Sequence, residues 1–244
     1  MTLFERLHFL HRAWRLRFIA EKFGVGFLLD RDLAGKTAID IGANRGVYSY
    51  WMHKKVGPRG FVIAFEPQPE LGSYLREAKH DFRLTQLEIA NVALSSVTGE
   101  TELLRPRHHW GGASMAWHPK GELDILKVKA VTLDEYFQNH EARPISFIKC
   151  DVEGHEYHVF KGGEQILQED RPELLFECGF ARDPECEAFS YLNGLEYDGF
   201  CFYKQGFAPI AKYNLLHDSL HRRALVDFVF VPKEKSHALT RYDT

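Results

Sequence analysis

The chain has 244 residues, enough for one large α/β domain with a substantial core. Its 31 Lys+Arg against 34 Asp+Glu give a formal net charge of -3, which excludes a global polycation built for nucleic acid and favours a small or neutral ligand. The four cysteines, Cys150, Cys178, Cys186 and Cys201, contain no C-x-x-C pair, so buried reduced thiols are expected rather than zinc ligands or disulfides.

In the N-terminal segment Leu3, Leu7, Leu10, Trp14 and Phe18 recur at three- and four-residue steps, which makes one apolar helical stripe. Arg6, Arg12, Arg15, Arg17 and Lys22 outnumber Glu5 and Glu21 there. Residues 1–35 are therefore expected to form an amphipathic helical segment packed over the domain or across a homodimer. The sharper expectation is peripheral docking on an anionic membrane surface to meet a lipid-linked acceptor. Charges throughout this segment argue against a signal peptide, and no apolar run approaches the roughly 20 residues that span a bilayer, so a cytoplasmic protein is expected.

A single domain is expected over 36–232, with strand-like and helix-like segments alternating along it. "TAIDIG" (37–42) is a buried-strand pattern, "VYSYWMHK" (47–54) a helical one, and "GFVIAFEP" (60–67) a second strand. This β-α-β order implies parallel strands. A helix over 69–82 follows, then a third strand over 84–96. From Val97 to Ala130 the pattern loosens: "ETELLRP" suggests a hairpin arm, and an inserted loop of about 105–130 holds Trp110, Trp117, His108, His109 and His118. Thr132 and Glu135 form a capping box that starts a short helix. "ISFIKCDVEG" (145–154) is a buried strand ending in carboxylates, 155–170 a helix with a glycine pair inside, 172–180 the next strand and 228–231 the last. Residues 233–244 read as a charged, frayed tail.

The chemistry gathers at strand ends, because ligands of open α/β sheets bind beyond the carboxyl ends of the strands. In "DIGANRG", Gly42 and Gly46 permit a tight turn and close approach, and Asp40 closes the strand. Asn44 fills the second glycine position of a dinucleotide fingerprint and Val47 follows Gly46, which weakens a pyrophosphate reading. A carboxylate, a close-approach glycine and a side-chain amide suit an amino-acid moiety. Glu66, ending the second strand, is placed to accept both hydroxyls of a ribose. Amino acid and ribose together compose S-adenosyl-L-methionine, and the third strand would then supply the adenine contact near Asn91, Val92 and Ala93.

These residues resemble the FkbM-type S-adenosylmethionine-dependent methyltransferases. The likeness runs from about Lys36 to Glu177 through "AIDIGANRGVYS", "VIAFEPQPE", "NVALSSVTGE", "VKAVTLDEYF" and "FIKCDVEGHEYHVFKGGEQIL". It implies the class I methyltransferase fold, α/β and Rossmann-like, with a seven-stranded, mostly parallel sheet carrying one antiparallel strand and helices on both faces. It also implies methyl transfer, typically to a hydroxyl of a sugar, glycolipid or polyketide-like molecule. Such a transfer must align donor and acceptor and dispose of the hydroxyl proton. Lys149, Asp151 and Glu153 share one face in strand register, and His155 follows in the first helical turn, so these four are the candidate catalytic groups. Asp151 serves as general base with Lys149 orienting it, or Asp151 and Glu177 together hold Mg2+. Glu153 and Glu156 could instead cap the following helix. The loop histidines are expected as surface or substrate-contact groups and not as a metal site. An NAD-dependent oxidoreductase and a non-catalytic S-adenosylmethionine-binding protein are the alternatives; Asn44 and the missing third glycine count against the former.

Overall fold

The computed structural model describes residues 1–107, 110–116, 121–178, 186–203, 206–213 and 227–239. The histidines at 108, 109 and 118 and the tryptophan at 117 lie outside the described residues. Helix α1 (Leu3–Arg15) runs through a π-helical turn (Leu16–Ala20) into α2 (Lys22–Asp30). Then come β1 (Thr37–Ile41), α3 (Val47–Val56), β2 (Phe61–Phe65), α4 (Pro69–Asp81) and β3 (Leu87–Ala90). Strands β4 (Ala93–Leu94), β5 (Gly99–Pro106) and β6 (Leu123–Val131) precede α5 (Leu133–Phe137) and β7 (Ile145–Cys150). The chain continues with α6 (Glu156–Lys161), α7 (Glu164–Glu169), β8 (Glu173–Glu177), α8 (Glu187–Gly194), β9 (Tyr197–Tyr203), β10 (Gly206–Pro209) and β11 (Asp227–Pro232).

The main sheet has the order β3-β2-β1-β7-β8-β11-β9-β10. Strands β3, β2, β1, β7 and β8 are mutually parallel, while β11 is antiparallel to both β8 and β9. This is the expected seven-stranded class I arrangement with one more strand, because β10 folds back antiparallel on β9 and makes an eighth. Strand order reverses between β1 and β7, so their carboxyl ends open a crevice at the switch point.

Both faces are covered, and period-two alternation decides which residue meets which cover. Ile39, Ile41, Ile63, Ile148 and Phe176 pack in one cluster with α5, α7 and α8. Ala38, Val62, Phe147, Leu175 and Val229 pack in the other with α1, α2 and α3. Asp40 and Lys149, one step after Ile39 and Ile148, therefore face the side of α1–α3. The N-terminal segment belongs to this second core: Phe9 and Ala13 are buried in it, and Trp51 Nε1 donates to the Ala13 carbonyl at 3.2 Å. Complete burial of a side chain such as Phe9 contributes about 1.5–3 kcal/mol.

Several elements differ from the sequence reading. The run 84–96 is not one strand: β3 stops at Ala90 and β4 joins a separate three-stranded sheet, β4-β6-β5. The expected inserted loop of about 105–130 has both its ends in that sheet, since β5 and β6 form a long antiparallel hairpin from Gly99↔Ala130 to Pro106↔Leu123. The helix expected over 155–170 is two helices, because Gly162 and Gly163 pass too close to their neighbours for side chains. A Cβ at Gly162 would fall 2.1 Å from the Ser95 carbonyl oxygen. Thr132 caps α5 by accepting from Glu135 N at 3.1 Å, yet the return half of the box is replaced: Thr98 Oγ1 accepts from Thr132 N and its hydroxyl donates to Glu135. The described part of the tail, through Leu239, is docked by a 3-10 helix over Lys233–Ala238, with Lys233 paired to Glu196 and Arg171 to Glu234. Among the described residues no helix is long and apolar enough to cross a membrane.

Candidate functional site

The turn after β1 is shaped by close approach. Gly42, Asn44 and Gly46 all have left-handed φ, of 73°, 51° and 75°. Asparagine tolerates that conformation better than most side chains, which accounts for it at the second glycine position. A Cβ on Gly42 would lie 1.9 Å from the Asp151 carbonyl oxygen, and one on Gly46 would lie 2.5 Å from Leu75 Cδ2. The two glycines thus let β7 and α4 press against the turn, where the sequence had suggested room for a ligand. Asp151 N in turn donates to the Ile41 carbonyl at 3.0 Å, locking the ends of β1 and β7 together.

Glu66 stands at the end of β2, only 3% exposed. Asn44 N donates to its Oε2 at 2.8 Å and Gln68 N to its Oε1 at 3.0 Å, and the Gln68 side chain adds a third hydrogen bond, so the carboxylate is firmly fixed. Burial pushes its pKa up to about 7 against those two backbone donors. Asn91 does something other than the expected adenine contact. Its amide donates to the Glu66 carbonyl at 2.6 Å and the Gln68 carbonyl at 3.3 Å, which holds the Glu66 loop in place. Gly72 makes room for that amide.

Two chambers meet at Gly42, Asn44 and Asp151. The first, about 570 Å3, is lined by Glu66, Val92, Ala93 and Glu153 from the main fold and by Leu103, Ala113 and Met115 from the hairpin region. The second, about 430 Å3, is lined by Asp40, Arg45, Tyr48 and Lys149, with Arg12, Leu16 and Glu21 contributed by the N-terminal segment. Sequence reasoning missed Arg12, Glu21, Arg45 and Tyr48 here, since no spacing in the chain ties residues 12–21 to the end of β7.

Charge is concentrated around Lys149. Its Nζ donates to Asp151 Oδ2 at 2.9 Å and lies 5.0 Å from the centre of the Tyr48 ring. Burial pulls its pKa down, but Asp151, Asp40 and Glu21 together more than reverse this, so it stands above its ordinary value. Asp40 is buried, accepts from Ser49 Oγ at 2.5 Å on Oδ2, and has no hydrogen-bond partner on Oδ1 among the described residues. Burial raises its pKa, with Lys149 opposing. Burial and then the Arg45 charge lower that of Arg12.

The expected face-sharing of Lys149, Asp151 and Glu153 holds only for the first two. The strand ends at Cys150, and Glu153 and Gly154 both turn left-handed, at φ 53° and 94°, which swings Glu153 to the first chamber. Burial and then Asp151 push Glu153 up to about 7. Glu156 accepts from Val152 N and Gly154 N, both at 3.2 Å, and so fastens this turn. His155 lines neither chamber. It is 9% exposed, bonded through Nε2 to Ser95 Oγ at 2.9 Å and stacked on His158, and burial lowers its pKa to about 4. A group so placed is neutral near pH 7 and borders neither chamber, which counts against its reading as a catalytic residue.

Residues 40–200 match the family described as Methyltransferase FkbM domain. The chain belongs to that family. The matched span begins at Asp40 and ends within β9, so the FkbM domain takes in the turn, Glu66, the hairpin sheet and the Asp151 block, while α1 and α2 lie outside it. A hexuronic acid methyltransferase, AglP, of Haloferax volcanii is 28% identical over 160 residues, which are 65% of this chain and 63% of that protein. The crystal structure of a methyltransferase FkbM from Methylobacillus flagellatus superposes with a TM-score of 0.52 at 14% identity, over 80% of this chain and 43% of that one. An O-methyltransferase from Bacillus cereus in complex with SAH gives 0.51 at 11% identity, over 93% and 91%. This chain therefore spans under two thirds of the length of AglP and under half of the Methylobacillus chain. The class I methyltransferase fold is common to all of these structures and this one.

Among the described residues no group of three or more His, Cys, Asp or Glu side chains is arranged to hold a metal ion. The Mg2+ reading of Asp151 and Glu177 accordingly finds no support. Glu177 instead faces Asp227 across the β8–β11 ladder. Burial raises both, Glu177 to about 7 with Asp151 adding to the effect, and Asp227 well up with Glu177 adding to it. The four cysteines are free thiols; Cys150, Cys178 and Cys201 are buried, and the half-buried Cys186 has its Sγ 3.2 Å from that of Cys178.

Proposed function

We propose that this protein transfers a methyl group from S-adenosyl-L-methionine to an oxygen, in the first instance a hydroxyl, of a sugar-like acceptor. The observation that carries the reading is the Glu66 carboxylate, fixed by Asn44 N and Gln68 N at the end of β2 and opening on a chamber that reaches Gly42 and Asp151. A carboxylate held in this way at the end of β2 suits the hydroxyls of a ribose, and Val92 and Ala93 on the same chamber suit a flat purine. Bound there, S-adenosyl-L-methionine supplies a sulfonium methyl for in-line displacement by an acceptor oxygen.

The chain's own residues then have separate tasks. Asp151 borders both chambers, and Lys149 holds it from Oδ2, leaving Oδ1 for the acceptor proton. Proton removal by a positioned base accelerates such steps by about 10²–10⁴-fold. The acceptor enters the second chamber, where Arg12 and Arg45 bring two cations to one cavity wall. Those cations favour an acidic sugar, in keeping with the hexuronic acid named for the Haloferax relative. Calorimetry with S-adenosyl-L-methionine, SAH and NAD tests the donor; binding of NAD alone would return the oxidoreductase reading. Turnover with isotope-labelled S-adenosyl-L-methionine and a panel of sugar acids and neutral sugars, read by mass spectrometry, tests the acceptor. Donor binding without product from any acceptor, in the panel or in extracts of the source cell, would favour a non-catalytic binding protein.

A further inference from the structure

Helix α1 is amphipathic in the sense opposite to the simplest expectation. Its buried edge is short, consisting of Phe9 and Ala13, whereas most of the stripe read from the sequence points outward. Leu3, Phe4, Leu7, Trp14, Phe18 and Ile19 are between 47% and 78% exposed. Nine large hydrophobic residues are exposed among the described residues, and these six are gathered within residues 3–19. Positions 3, 7, 14 and 18 recur at helical spacing, so they form one surface, and Trp14 and Phe18 stack on it at 5.5 Å. A contiguous apolar surface of this kind marks an interaction site.

The charges around the stripe identify what it meets. Arg6 and Arg15 are exposed, Arg17 is half-buried, and none of the three pairs with a carboxylate among the described residues. Arg17 lies over the rings of Trp14 and Phe18 at 5.5 and 5.1 Å, with its charge at the border of the apolar face. Glu5, the one acid in α1, is engaged in the capping box with Thr2. Apolar side chains flanked by arginines, with tryptophan among them, are the pattern of a helix lying in the interface of an anionic bilayer. A two-fold contact with a second copy would instead bring these arginines face to face, with a single glutamate on each side to offset them.

We infer that α1 and the π-helical turn dock this protein on an anionic lipid surface through Leu3, Phe4, Leu7, Trp14, Phe18 and Ile19, with Arg6, Arg15 and Arg17 meeting lipid phosphates. The opposite side of the same segment carries Arg12, Leu16 and Glu21, which line the second chamber beside Asp151. Docking therefore sets that chamber next to the membrane, where a lipid-linked acceptor would present its head. This last consequence rests on the proposed methyl transfer; the docking itself does not.

The test is co-sedimentation of the full chain with phosphatidylcholine vesicles and with phosphatidylcholine/phosphatidylglycerol vesicles, at low and high salt. Binding to the anionic vesicles only, weakened by salt, is expected. Phe4→Asp/Leu7→Asp, at two exposed positions, should lower that binding by at least about tenfold while leaving the melting temperature and S-adenosyl-L-methionine affinity unchanged. Arg6→Gln/Arg15→Gln should lower it and flatten its salt dependence. Equal binding to neutral vesicles, no binding to either, or a dimer in solution that Phe4→Asp/Leu7→Asp dissociates would overturn the inference, the last in favour of a second copy. Vesicle binding in a protein inactive on every acceptor would retain the docking and reject the methyl transfer.

Discussion

The two chambers are built on different principles. The first is made at the ends of β1, β2 and β7 and its key carboxylate is positioned by backbone donors from Asn44 and Gln68. The second shares Gly42, Asn44 and Asp151 with it, adds Asp40 and Lys149, and is closed by Arg12, Leu16 and Glu21, from a segment outside the matched family region. On the proposed function the donor site would then be set into the rigid sheet, where burial and backbone geometry hold it, and the acceptor side would be left to an added cover.

The sharpest way to break this division is at the residue both chambers share. Asp151→Asn preserves size and removes the charge, so turnover should fall by at least about 10²-fold while S-adenosyl-L-methionine affinity, read by calorimetry, stays nearly the same. Near-normal turnover in the folded variant on its true acceptor would transfer the base role to Glu153, whose pKa of about 7 suits it. Next in size is the donor side alone. Glu66→Ala should weaken S-adenosyl-L-methionine by about 1.5–3 kcal/mol, the scale of a lost charge-assisted hydrogen bond, without altering the acceptor KM. Unchanged affinity in a folded protein would leave the ribose without its assigned partner.

The acceptor side should give the converse pattern. Arg45→Ala is expected to raise the KM of an acidic acceptor about tenfold, leaving that of a neutral analogue and the affinity for SAH unaltered. If SAH binding weakens instead, the second chamber holds the amino-acid end of the donor and the acceptor lies elsewhere.

The smallest effect concerns pH. Burial raises Glu66, Glu153, Glu156 and Glu177 from 4.5 to about 7 in the folded chain. Each binds its proton more tightly folded than unfolded, so their contribution to stability is present below 4.5 and is lost as pH rises through about 7. Thermal melts of the unliganded protein across that window should show the melting temperature falling as pH rises. Saturating S-adenosyl-L-methionine, a cation, should reduce the fall, since it favours the ionised carboxylates. A flat profile would mean that these groups are solvated. In the same window donor affinity should decline as pH falls below about 7, because a protonated Glu66 accepts ribose hydroxyls less well.

Local pattern made much of this architecture legible. Short, largely apolar runs adjoining glycine or proline located β1, β2, β7 and β8, and β-α-β order made them parallel, because strands buried on both faces need nearly continuous apolar sequence. Asp40, Gly42, Asn44, Glu66 and Asp151 could be picked out for the same reason: a site at strand ends follows from strand boundaries. Elements whose form depends on a distant neighbour could not be read. The run 84–96 is apolar enough for one strand, but Asn91 leaves the ladder to bind the carbonyls of Glu66 and Gln68, and the chain changes sheet there. The 155–170 helix has unbroken helical spacing, yet the Ser95 carbonyl presses on Gly162 and divides it. Glu153 has the right parity to join Lys149 and Asp151, but positive φ at 153 and 154 turns it to the other chamber.

The sequence by itself determined the parallel sheet, the glycine turn, the carboxylates at the strand ends and the apolar stripe of α1, because each depends on periodicity or on the conformational demands of residues close in the chain. Only the tertiary structure decided that this stripe faces outward, that Arg12 and Glu21 close a chamber against Asp151, and that Asn91 and Gly42 act on protein neighbours. A helix with two apolar edges can bury either one, and which is covered depends on the fit of Phe9 and Ala13 against α3, an interaction across some forty residues that no local pattern encodes.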